Sequence, residues 1–262
     1  MTMRAGPELR IIENSEEVAA EAADLFVWLG KQAIQASGRF RVALSGGSTP
    51  SALYRALAAP GLARQLDWTQ VDFFFGDERC VPPDHPESNF GMADATLFRP
   101  LAIKQDRIFR MHGEAKDQDQ AAREYETVLH RQFGTKPPAR PRFDLILLGL
   151  GEDGHTASLF PGTEALHERI RLVVPNRSPK GVAPRLTLTI PIVNQAQTVV
   201  FLVSGGSKAS VVKQVLEGRE PDRTRPPAQL IHPEQGRLIW FLDQAAASEL
   251  ALSKQGLVSH EE

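Results

Sequence analysis

Short apolar runs punctuate the chain at wide intervals: FRVAL (40–44), VDFFF (71–75), FDLILL (143–148) and TVVFLV (198–203), with LVVP, LTLTI and LIWFL as further candidates. They are apolar at successive positions instead of alternate ones, which predicts strands covered by helices on both sides and hence a largely parallel sheet. Between them the period changes. Val18, Ala22, Leu25 and Leu29 recur at helical spacing and predict a helix over 15–36, with Ser15 as its cap and Glu16 and Glu17 in its first turn. Thr49 and Pro50 are expected as cap and first residue of the helix SALYRALAA, and ASVVKQVLEG reads as another. The pattern predicts an α/β fold, doubly wound, with a mainly parallel sheet and helices on both faces, forming a single domain over 1–262. The Pro-rich stretch EPDRTRPPAQ (220–229) is expected as a long surface loop, not a linker.

A parallel sheet places the loops that leave its carboxyl ends on one rim, where ligands bind. Four such loops are expected here, beginning at Ser45, Gly76, Gly149 and Ser204. The first, SGGST, offers unobstructed backbone N–H groups from Ser45, Gly46, Gly47 and Ser48 just ahead of a helix, a combination that favours an anion. The last, SGGSK, repeats the composition and adds Lys208. Arg185, in PRLTLT, supplies a second cation. Neither glycine loop fits G-x-x-x-x-G-K-[ST], so the pattern points to a small phosphorylated molecule and not to a nucleoside triphosphate.

The third loop, GLGEDGH, begins as G-x-G-x-x-G. A dinucleotide turn should open a helix and be followed, about 20 residues on, by an acid ending the next strand. Here Pro161 interrupts any long helix and the next candidate strand ends VVPN. The glycines read better as hinges that bring Asp153 and His155 to the rim. An imidazole is poised to act as a base near neutral pH, and a neighbouring carboxylate can orient it. On residues alone, a turn without a ligand and a histidine that caps or packs both stay open. His85 and His112 lack metal-ligand spacing and G-x-S-x-G is absent, which leaves base-assisted proton transfer or water activation.

Composition narrows the setting. The 262 residues are 42% hydrophobic and 24% charged with a net charge of −2, which gives no basic excess for nucleic acid. No apolar run approaches the roughly 20 residues of a membrane span. The N-terminal MTMRAGPELR has no apolar core of a signal peptide, and the one cysteine, Cys80, reads as a passive packing residue in a reducing compartment. The expected location is cytoplasmic.

Taken in order, LSGGSTP, FFFGDERCVPPDHPESNFGM, FDLILLGLGEDGHTASLFPGT and LVSGGSKA closely resemble the 6-phosphogluconolactonase family, over roughly residues 15–250. The resemblance implies a glucosamine-6-phosphate deaminase-like, Rossmann-related fold. It also implies hydrolysis of 6-phospho-D-glucono-1,5-lactone with neither a metal nor an organic cofactor. It casts His155 as the base that activates water and Asp153 as its orienting acid. Ser45, Gly46, Gly47, Ser48, Arg185 and Lys208 match positions that hold the 6-phosphate. Asp77 and Arg79 fall in the family's acid–arginine loop, Arg79 holding substrate oxygens or the developing charge. Two other readings stand beside it. Related glucosamine-6-phosphate deaminases resemble D-G-H followed by a glutamate five residues after the histidine, and D-E-Y in the earlier loop. This chain has Phe160 and Asp77-Glu78-Arg79 there. A sugar-phosphate sensor would be expected to carry an output module of about 50 residues, whereas about 14 precede the first expected helix.

Overall fold

The computed structural model describes residues 6–179, 184–218 and 225–251. Among them run nine strands: β1 (Glu8–Ile12), β2 (Phe40–Leu44), β3 (Val71–Phe75), β4 (Asp77–Arg79), β5 (Leu145–Leu148), β6 (Val173–Asn176), β7 (Arg185–Leu188), β8 (Thr198–Val203) and β9 (Arg237–Asp243). Six of them form one sheet in the order β1-β9-β8-β5-β2-β3, and every neighbouring pair is parallel. β3, β5 and β8 are buried at every position, the result of helices covering both faces of continuous apolar runs. The expected doubly wound α/β class is the one found.

The strand order locates the crevice. From β2 the chain moves outward to β3, whereas from β5 it moves the opposite way through β8 to β9. β2 and β5 are neighbours, so the loops after them diverge and open a gap at the carboxyl edge. Those two loops are SGGST and GLGEDGH.

Several elements differ from the sequence reading. The first helix runs Ser15–Ser37, but Asn14 caps it: its Oδ1 accepts the N–H groups of Glu16 and Glu17, both at 3.0 Å. Asn14 alone stands outside the first turn with its side chain free to reach back. The second helix starts two residues early, at Ser48. Gly47 occupies the cap at φ 107, where a side chain is strained, and its carbonyl accepts Ser51 N–H. Thr49 and Pro50 therefore lie inside the first turn. LVVP and LTLTI do form strands, β6 and β7, but these join β4 in a separate antiparallel sheet, β4-β7-β6. GDER, read as a loop, thus contributes a strand. Of the Pro-rich stretch, 220–224 lie outside the described residues, and its end is not a surface loop. Pro227 and Ala228 are buried, with Ala228 N–H bound to the carbonyl of Gly154.

Candidate active site

The histidine loop is built by close backbone approaches. Gly154 N–H donates to the carbonyl of Gly151 (3.0 Å) and Gly151 N–H to that of His155 (2.8 Å). A Cβ on Gly151 would lie within the His155 ring, and Gly154 takes φ 78 with Pro226 packed on it. The glycines are there so that the loop can fold back and hold its own imidazole. His155 Nδ1 meets Asp153 Oδ1 at 2.5 Å, and the same oxygen accepts the backbone N–H of His155 at 3.2 Å. That contact assigns Nδ1 to the acid and leaves Nε2 without a hydrogen-bond partner among the described residues. Phe160 lies against the ring, with centroids 4.7 Å apart. Beyond the histidine, Ala157 sits at φ 46 in a turn closed by Leu159 N–H on the carbonyl of Thr156, a conformation costly for a residue with a Cβ.

The first glycine loop is clamped from below. The buried Tyr54 hydroxyl accepts the N–H of Ser45 and donates to its carbonyl. Burial pushes the phenol's pKa up, so it stays a neutral clamp. Ser48 and Thr49 then present the unspent N–H groups of a helix start. The second glycine loop is held by Asp243, at the end of β9, whose carboxylate oxygens accept Gly205 N–H at 3.0 and 2.9 Å. Lys208 follows in the short turn Gly206–Lys208.

The charged wall comes from β4 and β7, where Arg79 pairs directly with Arg185 across the antiparallel register. Alternation along β4 turns Asp77 and Arg79 one way and Glu78 the other. Glu78 is buried and accepts the N–H groups of Arg79 (2.8 Å), Asn89 (2.7 Å) and Phe90 (2.8 Å). Burial pushes its pKa up, against the pull of those three donors. Asp77 accepts Ser158 Oγ–H at 2.6 Å and Asn89 Nδ2–H at 3.2 Å. Arg79 Nη1 donates to the carbonyl of Glu87 at 2.6 Å. Burial, and then the charge of Arg79, lower the pKa of Arg185, while Asp77 and Glu87 act against this. Cys80, next in the chain, has its thiol pushed up to about 11 by burial, as suits an unreactive packing residue.

All ten residues singled out in the sequence line two adjoining cavities of about 280 and 350 Å³. Ser45, Gly46, Gly47 and Ser48 line the first, Asp153 and Arg185 the second, and Asp77, Arg79, His155 and Lys208 line both. Ligand pockets commonly measure roughly 300–1,000 Å³, so these suit a small polar molecule. Sequence reasoning missed Asn89 and Ser158, which contact the acid strand, and Ala157, which lines both cavities. PESNF and HTAS lie within the stretches already quoted, but nothing in their spacing tells that Asp77 joins them. Among the described residues, no group of three or more His, Cys, Asp or Glu could hold a metal ion, and no helix is long and apolar enough to cross a membrane.

Known proteins share both the sequence and the arrangement. The family model for glucosamine-6-phosphate isomerases/6-phosphogluconolactonase matches residues 13–240. A 6-phosphogluconolactonase of Nostoc sp. is 39% identical over 244 residues, which cover 93% of this chain and 98% of the relative. One of Synechocystis sp. is 42% identical with the same coverage. The solved structure of 6-phosphogluconolactonase from Trypanosoma cruzi superposes with a TM-score of 0.84 at 30% identity, over 95% of this chain and 98% of that one. With its sheet order, its paired glycine loops and its histidine turn, this chain belongs to the glucosamine-6-phosphate isomerase/6-phosphogluconolactonase family.

Proposed function

We propose that this protein is a 6-phosphogluconolactonase. It hydrolyses 6-phospho-D-glucono-1,5-lactone to 6-phosphogluconate, in the oxidative part of the pentose phosphate pathway. The observation that carries the reading is the His155–Asp153 contact, with Nε2 left for chemistry beside Arg79 and Lys208. His155 Nε2 takes a proton from water as the water oxygen bonds to the lactone carbonyl carbon. Asp153 keeps the ring in the required tautomer and stabilises the imidazolium. Collapse of the tetrahedral adduct breaks the bond to the ring oxygen, which takes the proton back from Nε2. The acid formed then ionises, releasing one proton to solvent. No covalent intermediate is needed, because the lactone carbonyl is already activated.

Arg79, fixed through Nη1, offers the rest of its fork to the developing oxyanion; a donor in that role is worth about 2.7–4 kcal/mol. A positioned base contributes roughly 10²–10⁴-fold. The phosphate is held around Lys208, between the Ser45–Ser48 loop and Arg185, far enough from the carbonyl to act by orientation. Asp77, with both oxygens engaged by Ser158 and Asn89, braces the wall. One core cluster reaching from Ile12 to Leu250 supports a single α/β domain, and a cytoplasmic location belongs to the same reading.

Deaminase chemistry is disfavoured by Phe160, buried against His155, where those enzymes carry a proton-transferring glutamate. The test is acid release from freshly made 6-phosphogluconolactone, with unphosphorylated gluconolactone as control and ammonia release from glucosamine 6-phosphate measured in parallel. Acceleration confined to the phosphorylated lactone supports the assignment. Ammonia release without lactone hydrolysis refutes it.

A further inference from the structure

Ser158, three residues past His155, is gripped by all three strands of the small sheet. Its N–H donates to Thr187 Oγ1 on β7 (3.2 Å), and its carbonyl accepts Asn176 Nδ2–H from β6 (2.8 Å). Its hydroxyl donates to Asp77 Oδ2 on β4 (2.6 Å). Ser158 and Thr187 are almost wholly buried, and Asp77 is close to it. The other carboxylate oxygen of Asp77 accepts from Asn89, whose amide also binds the Asp77 carbonyl at 2.9 Å. Asn89 lies so close to Gly46 that a Cβ there would overlap its side-chain oxygen. A single chain of contacts therefore joins the histidine loop, the acid strand and the first glycine loop.

We propose that Ser158 is a positioning residue for the lactonase reaction, and that it acts through the buried carboxylate of Asp77. The inference rests on the lactonase reading. The parallel rim builds the histidine loop, but the rim alone does not set that loop's distance from Arg79 and Arg185, which stand on another sheet. The hydroxyl of Ser158 ties the loop to the strand that carries Arg79, beside the backbone bonds that hold it to β6 and β7. A short bond from a neutral hydroxyl to a buried carboxylate is directional and charge-assisted, suited to holding one distance. Its loss leaves the two backbone contacts of Ser158 in place, so the loop stays attached but its register against the wall loosens.

The test is a double-mutant cycle on the whole protein with Ser158→Ala, Asp77→Ala and both together, reading kcat and KM on the phosphorylated lactone. Thermal unfolding and near-ultraviolet circular dichroism check that each variant is folded. Ser158→Ala is expected to lower kcat by about ten- to a hundredfold, the scale of a displacement of about 1 Å, with KM nearly constant. The double variant should be no slower than Asp77→Ala, because the hydroxyl has lost the partner through which it acts. Full kcat in folded Ser158→Ala overturns the proposal, as do losses that simply multiply in the double variant. If Ser158→Ala does not fold, the near-isosteric Ser158→Cys, whose thiol is a weak donor, enters the same cycle. Its expected signature is a fall in kcat at nearly constant KM, and no further loss of kcat on the Asp77→Ala background. Losses of kcat that multiply on that background overturn the proposal. A wild type that releases no acid contradicts the lactonase reading itself, whereas an active wild type matched by an equally active, folded Ser158→Ala contradicts only the positioning claim.

Discussion

The rim of the parallel sheet and the small antiparallel sheet contribute to one site by opposite means. On the rim, His155 and Lys208 stand on loops that glycines shape, and the His155 side chain keeps 32% of its exposure. On the small sheet, Asp77, Glu78 and Arg185 are fixed by strand register and exposed by only 6%, 3% and 8%. A base has to exchange protons with water, so it needs reach and access. Charges that stabilise a transition state work best when already oriented in a water-poor place, at no cost of reorganisation during the reaction. On the proposed function the division follows from those two demands: the rim would move the proton, and the sheet would hold the field.

If this division is right, a substitution on the rim should cost turnover or binding while leaving stability nearly intact, and one on the small sheet should cost both. The largest effect is expected from His155→Ala, which should lower kcat by roughly 10²–10⁴-fold with the thermal midpoint nearly unchanged. Steady-state kinetics with a parallel melting curve measure both quantities, and a large loss of stability would blur the contrast. Next comes Lys208→Ala, expected to raise KM by about ten- to a hundredfold at nearly constant kcat, since the phosphate is held equally in ground and transition states. An unchanged KM would move the phosphate elsewhere.

Glu78→Gln tests the other side of the contrast. The amide nitrogen would replace one carboxylate oxygen and confront either the Arg79 and Asn89 N–H groups or that of Phe90, so stability should fall by about 1–3 kcal/mol, and denaturant unfolding reads the change. Catalysis should fall too, since those donors set Asn89 and Arg79. A variant of full stability would remove the buried brace from the account.

The smallest effect is expected at Glu114, which lines neither cavity and whose carboxyl the Arg110 fork (2.9 and 2.6 Å) holds down to about 2. Its folded pKa lies below the unfolded value of about 4.3. Its contribution is therefore present above that value and fades as the pH falls through about 2. Glu114→Gln should flatten the acid limb of stability slightly, leaving kcat at neutral pH as it was.

The same contrast explains what could be read from the chain. Strands such as VDFFF and TVVFLV announce themselves because burial on both faces demands uninterrupted apolar residues, and each rim loop follows directly from the end of one. His155 and Asp153 are two residues apart, and the Ser45–Ser48 loop is contiguous. Local sequence therefore carries their chemistry. Arg79 and Arg185 are more than a hundred positions apart and meet only through antiparallel pairing of β4 with β7. β4 spans three residues, two of them buried acids, which no hydrophobic pattern reveals. Ser158 gave no signal of its own, because its partners Asp77, Asn176 and Thr187 come from three separate strands. Where the resemblance to a family supplied residues from both regions, it did so without saying how they are joined.

The central claim is that one substrate lies across both regions, phosphate beside Lys208 and reacting carbon beside His155. A crystal structure with 6-phosphogluconate bound tests it most directly. The account predicts the phosphate between the Ser45–Ser48 loop, Lys208 and Arg185, and a carboxylate oxygen within hydrogen-bond reach of His155 Nε2. A product bound with its carboxylate at Lys208, or wholly on the rim without contact to Arg79 or Arg185, would contradict it.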